Sequence, residues 1–315
     1  MLALRYHSFG DLRDLRLEDV PLPVPAAGEV LVRVRAASVN PVDWKIATGS
    51  FRLLVRGGLP RTMGSDFAGE VADAGPGVTE LVRGERVFGF VDPFSRAGGT
   101  FAEFVSVPVE FVHRMPDPLT FRDAAALACA GTTAVTVCNL GHVARGSSVL
   151  VNGASGGVGH LTVQVAAARG AKVTATTSAA RHDFVRRLGA SACIDYRHEP
   201  MRQWPGGFDA VLDCVPSIPR SAQHRLLARK GHYVTTVPGP SHFLLDPITN
   251  RFAGVQRHGV MLKPDARAVQ EYLGYLAQGR LHCSIEQEYA LREARSAIER
   301  SRSGHVQGKL VLRVD

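Results

Sequence analysis

A cluster of closely spaced glycines near the middle of the chain predicts a phosphate-binding turn. The glycines directly follow the apolar run Val149–Val151, and apolar residues recur at helical spacing after them. A strand, a glycine turn and a helix N-terminus together present backbone N–H groups and a positive helix end to a phosphate. Because the spacing Gly-x-x-Gly-x-x-Gly differs from the Gly-x-Gly-x-x-Gly fingerprint, a tight strand–helix connection is the alternative interpretation. The predicted cofactor-binding residues of the turn are Gly153, Ser155, Gly156, Gly157, Val158 and Gly159.

The end of the next predicted strand favours a phosphorylated ribose. An NAD site usually carries an acidic residue about twenty residues past the glycine turn, where it binds the ribose 2′-hydroxyl. Here the run Val173–Thr177 is followed by Ser178, and the nearest acid, Asp183, comes a helical turn too late. Ser178 can donate a hydrogen bond, and the forked guanidinium of Arg181 can bind a 2′-phosphate. The sequence therefore predicts NADPH in preference to NADH, unless Arg181 is only a solvated helix residue.

A doubly wound parallel sheet would position such a turn, and the chain from residue 120 onward has its pattern. Thr120 and Asp123 are spaced as a helix N-terminal capping pair. Apolar runs then alternate with stretches of helical periodicity, which is typical of parallel strands joined by crossover helices. The pattern predicts an α/β fold with a Rossmann nucleotide-binding domain at residues 120–255. The predicted strands are Val149–Val151, Val173–Thr177, Ala192–Ile194, Ala210–Cys214 and His232–Thr236.

Residues 1–119 have the pattern of a small β barrel or sandwich. In Glu29–Ala37, valines alternate with arginines, as in a half-buried strand, and Gly/Pro breakers separate further short runs. The C-terminal segment 256–315 contains two helical patterns and the apolar run Lys309–Arg313. We expect this segment to return to the first domain and close a cleft over the glycine turn.

Composition excludes several classes of protein. The 315-residue chain is 45% hydrophobic and 21% charged, as in ordinary globular proteins. Its net charge of +8 comes from scattered arginines without interleaved aromatics, which argues against nucleic-acid binding. The five cysteines form no Cys-x-x-Cys pair, so we expect them to be reduced. Residues 1–11 lack a signal pattern, and Ala124–Leu140 fits a buried helix better than a membrane span, so a cytoplasmic location without membrane contact is expected.

Several segments resemble the medium-chain dehydrogenase/reductase superfamily, in the right order over nearly the whole chain. Within the superfamily, the chain is most similar to the zinc-independent NADPH:quinone oxidoreductase branch. The resemblance implies a GroES-like catalytic domain, a nicotinamide cofactor in a cleft beside a nucleotide-binding domain, and a homodimer. The matching segments are Ser38–Lys45, Gly64–Glu70, Gly75–Val78, Gly99–Glu103, Ala124–Leu127, Ala130–Ala134, the glycine turn and Gly304–Lys309.

The resemblance also bears on zinc. Alcohol dehydrogenases of this superfamily place a cysteine ligand where Asn40 stands and a histidine ligand where Ser65 stands. Catalytic zinc needs thiolate, imidazole or carboxylate ligands, and Asp66 alone cannot hold the ion. The four close cysteines of the structural zinc lobe are missing as well. We therefore predict that the protein binds no metal.

The resemblance assigns further residues to the cofactor and the reaction. Asn40 and Asp43 follow a strand, in a turn stiffened by Pro41, and correspond to residues at the nicotinamide end. A turn-forming Asn-Pro pair and a helix-capping aspartate are the alternatives. Lys45 could donate to a substrate oxygen or a ribose hydroxyl, or be solvated. The family positions also imply cofactor contacts at Thr133, Tyr196, Val237 and Lys309.

Without zinc, a simple carbonyl is poorly polarised for hydride transfer, so an activated acceptor is expected. A quinone or an enone delocalises the charge, and a small hydrophobic molecule of this kind is the predicted substrate. Relatives often carry a tyrosine soon after the Asn-x-x-Asp turn, whereas Phe51 is the nearest phenylalanine or tyrosine here; the proton would then come from water or a cofactor ribose. An enoyl-thioester or specialised biosynthetic reductase and a non-catalytic NADPH-binding redox sensor are the alternatives. The aromatic residues predicted to line the acceptor pocket are Trp44, Phe51, Phe94 and Phe243, with Phe90 as a further candidate.

Overall fold

The computed structural model describes residues 1–95, 98–250 and 254–315, without the side chains of Pro240 and Phe243. The described chain divides into two compact units, Met1–Cys129 with Ile285–Asp315, and Ala130–Ser284. The strands and helices, in chain order, are β1 (Leu2–Tyr6), β2 (Arg16–Asp19), β3 (Glu29–Val39), α1 (Pro41–Ala47), β4 (Arg61–Thr62), β5 (Asp66–Ala74), β6 (Arg86–Phe90), β7 (Phe104–Pro108), β8 (Val112–Arg114), α2 (Phe121–Leu140), β9 (Ser148–Asn152), α3 (Gly159–Ala168), β10 (Lys172–Thr177), α4 (His182–Arg187), β11 (Ala192–Asp195), β12 (Phe208–Asp213), α5 (Arg220–Leu226), β13 (Leu227–Thr235), α6 (Pro240–Leu244), α7 (Asp246–Thr249), β14 (Val255–Gly259), α8 (Ala266–Ala277), β15 (Ile285–Ala290), α9 (Ala294–Arg302) and β16 (Lys309–Arg313).

The first unit is built on strand β3, which pairs with three other strands. In the described part of this unit, a seven-stranded sheet runs β15-β16-β3-β5-β6-β8, with β7 also on β3, and a smaller sheet runs β2-β1-β4. Val30, Val32 and Val34 are buried on one face of β3, as the alternation predicts. The register places Ser38 opposite Asp66 on β5, while the C-terminal strand β16 pairs antiparallel with the end of β3. Polar residues distant in sequence are thereby brought to one end of the sheet.

The second unit is a doubly wound parallel sheet. Among the described residues its strand order is β11-β10-β9-β12-β13-β14, and each neighbouring pair is parallel. The strand order reverses between β9 and β12, and ligands of such sheets bind beyond the carboxyl ends of the strands at this point. Val149–Val151 at the centre of β9 is completely buried, as a strand covered on both faces requires. The structure thus confirms the predicted α/β fold class.

The unit boundaries differ from the sequence-based domain boundaries. Residues 256–284, which we assigned to the segment returning to the catalytic domain, lie in the second unit, and the return begins at Ile285. Strand β14 lies at the edge of the parallel sheet and is only partly buried. Because it contains the polar residues Gln-Arg-His, it lacks the apolar pattern by which the other strands were predicted. The first boundary falls inside α2 rather than at residue 120, since this helix is continuous from Phe121 to Leu140.

Helix α2 is long and apolar enough to cross a membrane by length and composition. However, 72% of its most apolar window is buried inside the protein. Thr120 caps its first turn, because the Thr120 hydroxyl accepts from the Asp123 N–H at 3.2 Å and donates to the Asp123 carboxylate at 2.6 Å. This burial is typical of a core helix, as the sequence predicted for Ala124–Leu140.

We expect Gly159→Ala to destabilise the fold, although alanine favours helices. A Cβ at Gly159 would lie 2.1 Å from the carbonyl oxygen of Gly153, so the backbone of the turn must shift. The expected loss in the free energy of unfolding is about 1–3 kcal/mol, as for other overpacked sites. Gly156→Ala is the matched control, because its Cβ would meet only an ordinary contact at 3.4 Å. Denaturant unfolding of both variants measures the difference, and equal stabilities would contradict the packing argument.

Candidate functional site

The glycine turn of the second unit lies between β9 and α3. Gly153 has a φ of +74°, and a Cβ there would lie 2.5 Å from the Val215 side chain. The only close approach at Gly156 is the 3.4 Å contact to the turn itself, so among the described atoms this position has an open side. The His160 and Leu161 N–H groups donate to the carbonyls of Gly156 and Val158. Because the first N–H groups of a helix lack intrahelical acceptors, an anion is expected at the N–H groups that precede these two in the turn. The turn therefore has the form that the sequence predicted for a phosphate site.

Asn152, the last residue of β9, connects the strand ends beneath the turn. Its amide nitrogen donates to Asp213 at 2.8 Å and to Ser217 at 2.9 Å, while its amide oxygen accepts from the Thr176 hydroxyl at 2.5 Å. The same hydroxyl accepts from the Gly153 N–H at 3.2 Å. Every donor and acceptor of the side-chain amide is engaged, which fixes its orientation. Asn152 thus joins the ends of three neighbouring strands to the glycine turn.

Asp213, at the end of β12, orders the loop that packs on the turn. Its carboxylate accepts from the Tyr233 hydroxyl at 2.6 Å and from the Val215 N–H at 3.2 Å. Burial raises the pKa of Asp213, and burial together with this carboxylate raises the pKa of Tyr233. Sequence reasoning missed Asn152, Thr176, Asp213 and Tyr233. The available signal was a polar residue at the carboxyl end of an apolar strand, where parallel strands place their binding groups.

Residues predicted to recognise the ribose phosphate come together beside the turn. The Ser155 hydroxyl accepts from Thr177 at 2.8 Å and from the guanidinium of Arg181 at 3.2 Å. Ser178, which lies between Thr177 and Arg181 in the sequence, is buried. Asp183 is bound to Arg186 at 3.2 Å in an exposed pair, so its carboxylate is engaged elsewhere. Arg181 is thereby oriented toward the glycine turn by a side chain of the turn.

The remaining predicted cofactor residues of the second unit are more dispersed. Thr133 is buried in α2, and Tyr196, after β11, is 48% exposed with Arg197 5.9 Å from its ring centroid. Val237, two residues after β13, donates its N–H to Thr235 at 3.3 Å. Their cofactor roles stay predictions.

A buried hydrogen-bond network centred on Asn40 lies in the first unit. The Asn40 amide oxygen accepts from the Lys309 ammonium at 2.6 Å, and its amide nitrogen donates to Asp66 at 2.8 Å and to Ser65 at 3.3 Å. Ser65 in turn donates to Asp43 at 2.8 Å. The register of β16, β3 and β5 brings these groups together. The sequence grouped Asn40 with Asp43 but assigned Lys309 to cofactor binding, whereas its ammonium lies on Asn40.

The ends of the network are tied to the backbone. Asp43 accepts from the Asn40 N–H at 2.7 Å, which fixes the first turn of α1. Asp66 accepts from the Ser38 hydroxyl at 2.5 Å and from the Cys129 N–H at 3.1 Å. With both sides of its amide engaged, Asn40 has a fixed orientation, and its role is to hold its neighbours in place.

Charge balance in the network leaves one carboxyl without a cation. Burial raises the pKa of Asp43 to about 7, and burial also raises the pKa of Asp66, against the opposing charge of Lys309. The ammonium lies 3.6 Å from Asp66 and can balance only one negative charge. Because two buried carboxylates share one cation, the pair retains a proton up to near-neutral pH.

The residues of this network do not fit zinc. Asn40 and Ser65, at the two ligand positions, offer an amide and a hydroxyl, and the neighbouring Asp66 adds one carboxylate. The ammonium of Lys309 already binds the oxygens of Asn40 and Asp66. A positive side chain bound at these oxygens opposes a divalent cation. Within residues 1–95, 98–250 and 254–315, no three His, Cys, Asp or Glu side chains are close enough to share a metal ion.

Of the predicted pocket residues, Trp44, Phe51 and Phe94 are partly buried against the core of the first unit. Phe51 and Phe94 meet edge to face with ring centroids 5.8 Å apart, and the Trp44 indole donates to Ser301 at 3.1 Å. The Lys45 ammonium lies 5.6 Å from the Trp44 ring centroid and outside the Asn40 network. Phe90 is buried and packs edge to face on another phenylalanine. The side chain of Phe243 lies outside the described residues.

Comparison with known proteins gives matches over the whole chain. The model of the alcohol dehydrogenase GroES-like domain matches residues 26–117, and the model of a zinc-binding dehydrogenase matches residues 188–312. A protein of Arabidopsis thaliana named chloroplast envelope quinone oxidoreductase homolog is 32% identical over 326 residues, covering 99% of this chain and 98% of that protein.

Solved structures also match the chain over nearly its whole length. The quinone oxidoreductase from Coxiella burnetii has a TM-score of 0.91 and 31% identity, covering 100% of this chain and 99% of that one. A mycobacterial protein solved in complex with NADPH has a TM-score of 0.86 and 26% identity, covering 99% of each chain. The GroES-like part of the predicted fold class is thereby confirmed.

We expect Asp43→Asn to flatten the pH dependence of stability between about pH 4 and 7. The folded carboxyl has a pKa of about 7 against 3.8 when unperturbed, so the folded state binds more protons in this window. The Asp43 carboxyl therefore makes its whole contribution to the free energy of unfolding below pH 3.8. This contribution is lost as the pH rises toward 7, by at most about 1.4 kcal/mol per pH unit.

Urea unfolding of wild type and variant across this range measures the effect. The wild-type free energy of unfolding, relative to that of the variant, should fall with rising pH. Asp19→Asn, at an 87% exposed side chain, is the control and should leave the wild-type slope unchanged. Parallel curves for wild type and Asp43→Asn would show that the carboxyl pair holds no extra proton.

Proposed function

Because the chain belongs to the quinone oxidoreductase branch of the medium-chain dehydrogenase/reductase superfamily and is an oxidoreductase, we propose that it transfers hydride from NADPH to a quinone or an α,β-unsaturated carbonyl, without zinc. The relatives support the reaction class by their names, and one structural neighbour was solved with NADPH. NADPH, when bound, supplies the hydride. The protein residues bind and orient the reactants.

The second unit has the groups that NADPH binding requires. The glycine turn and its N–H groups before His160 suit the pyrophosphate, because close approach of the backbone is possible at Gly156. Arg181, held by Ser155, is the cation for the 2′-phosphate, and Ser178 is an additional donor. No carboxylate follows β10 to compete for a ribose hydroxyl before Asp183. These features favour NADPH over NADH.

The observation that carries the proposal is the Lys309 ammonium bound between Asn40 and Asp66. In the related alcohol dehydrogenases metal ligands stand at the positions of Asn40 and Ser65, the latter beside Asp66, and the metal polarises a carbonyl. Here the oxygens face an internal cation, so no ion is available to activate an alcohol or a simple aldehyde. A quinone or an enone needs less activation because it delocalises the added charge. The substrate class follows from this difference.

Protonation of the product is assigned to water or a cofactor ribose hydroxyl. Phe51 stands where many relatives have a tyrosine and cannot donate a proton. The Asp43 carboxyl accepts from the Asn40 N–H and from the Ser65 hydroxyl, so the network engages it from both sides. These residues therefore stabilise the turn after β3 and hold it rigid.

Anaerobic mixing of the purified protein with NADPH and a panel of acceptors tests the function. The panel contains benzoquinones, naphthoquinones, enones, an enoyl thioester and saturated aldehydes. We expect rapid NADPH oxidation with quinones or enones and none with saturated aldehydes. Turnover with the enoyl thioester alone would favour a biosynthetic reductase, and binding without turnover would identify a non-catalytic NADPH-binding protein.

Turnover is expected to be independent of zinc. The donor set around Asn40 does not suit the ion, so incubation with a chelator should leave the rate of NADPH oxidation unchanged. Elemental analysis of the purified protein should find less than stoichiometric zinc. A rate that falls with the chelator and returns with added zinc would contradict the proposal.

Arg181→Ala should weaken NADPH binding by about ten- to a hundredfold, because a hydrogen bond to a charged group contributes on the order of 1.5–3 kcal/mol. NADH binding should barely change, since NADH has no 2′-phosphate. Arg186→Ala in the following helix α4 is the matched control, because Arg186 pairs with Asp183. Fluorescence titration of wild type and both variants with both cofactors measures the six affinities. An equal loss for NADPH and NADH, or a wild-type preference for NADH, would refute the role of Arg181.

A further inference from the structure

His160 is a fully buried histidine directly after the glycine turn, in the first turn of α3. Its Nδ1 lies 2.9 Å from the carbonyl oxygen of Gly156, and its backbone N–H donates to the same oxygen at 3.0 Å. Its Nε2 lies 3.1 Å from the backbone nitrogen of Ser284. The imidazole therefore joins the turn to a segment more than a hundred residues later in the chain.

The partners of His160 determine its tautomer. A carbonyl oxygen only accepts, so Nδ1 carries the proton and donates to Gly156. A backbone N–H only donates, so Nε2 is unprotonated and accepts from Ser284. The ring is neutral, and both of its nitrogens are engaged.

The hydrogen bond to the Gly156 carbonyl also restrains the Gly157 N–H on the opposite side of the same peptide group. In a planar trans peptide, the carbonyl of one residue and the N–H of the next point in opposite directions. With the Gly156 oxygen held against α3, the Gly157 N–H points away from the helix. Two donors on one oxygen restrain the rotation of this peptide, although glycine on both sides would otherwise allow it to turn over.

We propose that His160 is a positioning residue for the cofactor pyrophosphate. It holds the Gly156–Gly157 peptide so that the Gly157 N–H faces the phosphate before the cofactor binds. The inference rests on the proposed NADPH-binding function. His160 lies on the protein side of the turn and acts only through this peptide.

His160 could instead have a structural role only, as support for the segment around Ser284. A substitution at Gln164 distinguishes this role from positioning of the peptide. Gln164 lies one helical turn further along the same buried face. Its amide bonds the backbone of His282 in both directions, at 2.9 and 3.0 Å, and donates to the carbonyl of His160. It supports the same neighbouring segment, and none of these bonds goes to the glycine turn. A substitution at Gln164 therefore removes comparable buried hydrogen bonds and leaves the peptide restraint in place.

The experiment compares NADPH affinity and thermal stability for His160→Leu, His160→Asn and Gln164→Leu. His160→Leu keeps the Gly157 N–H and removes only its restraint, so the effect should be smaller than loss of a whole charge-assisted bond, about a five- to thirtyfold weaker Kd. We expect this loss in His160→Leu. In His160→Asn an amide N–H can replace Nδ1, so the affinity should return while the bond to Ser284 stays absent. Gln164→Leu should lower the melting temperature and keep the wild-type Kd.

Adenosine 2′-monophosphate provides a second readout, because it contains the 2′-phosphate and lacks the pyrophosphate. Its inhibition constant should be unchanged in all three variants. If His160→Leu does not fold, His160→Gln replaces it, since its longer amide can accept from Ser284 and places its donor away from Gly156.

The outcomes separate the inference from the proposed function. Wild-type protein that does not bind NADPH would refute the function and, with it, the inference. A wild-type Kd in His160→Leu, or an equal loss in Gln164→Leu, would overturn the positioning role while the function stands. A loss in His160→Leu that His160→Asn restores, with unchanged binding of adenosine 2′-monophosphate, is the supporting result.

Discussion

The ammonium of Lys309 is buried in the first unit, and a buried charge is unfavourable unless it is paired and hydrogen-bonded. Its partners are the Asn40 oxygen and the Asp66 carboxylate, which come from the end of β3 and the start of β5. The site can form only if β16 pairs with β3 in the observed register, since a slip of one residue would turn the lysine to the other face. The C-terminal strand is thereby part of the site.

Each unit uses a side-chain amide to fix the groups around it. Asn40 connects three residues of the first unit, and Asn152 connects the ends of β9, β10 and β12 in the second. An amide presents donors and an acceptor in one plane, so a fully bonded amide has a single orientation. Asn40 directly follows β3 and Asn152 is the last residue of β9, so each amide fixes the backbone at the end of a strand. Rigidity at these points reduces the reorganisation needed when a substrate binds.

An internal ammonium binds groups at and beside the positions that hold metal ligands in the related alcohol dehydrogenases. A divalent ion withdraws electrons from a bound carbonyl, whereas the Lys309 ammonium is bound to Asn40 and Asp66. The network contains a pair of buried carboxyls with raised pKa values. Hydrogen bonds between its side chains hold its geometry. Such a site suits acceptors that are already electrophilic, which connects the network to the proposed substrate class.

The sequence by itself determined the fold class and the glycine turn, and it predicted residues for the ribose end of a cofactor. These features depend on local patterns: Val149–Val151 is apolar because β9 is buried on both faces, and the turn glycines are needed where Gly153 and Gly159 approach neighbouring atoms. The resemblance to a known superfamily added Asn40 and Asp43. Strand β14 escaped prediction because an edge strand with polar residues lacks a clear apolar period.

Only the tertiary structure decided which distant side chains meet. Nothing in the local sequence of Lys309 indicates that its ammonium lies on Asn40, because that contact depends on pairing between strands about 270 residues apart. The same holds for Ser38 with Asp66, for Asp213 with Tyr233, and for His160 with Ser284. Backbone patterns arise from neighbours along the chain and can be read from sequence. Hydrogen bonds of buried polar groups are satisfied across the fold, and their partners appear only when strands and helices are packed.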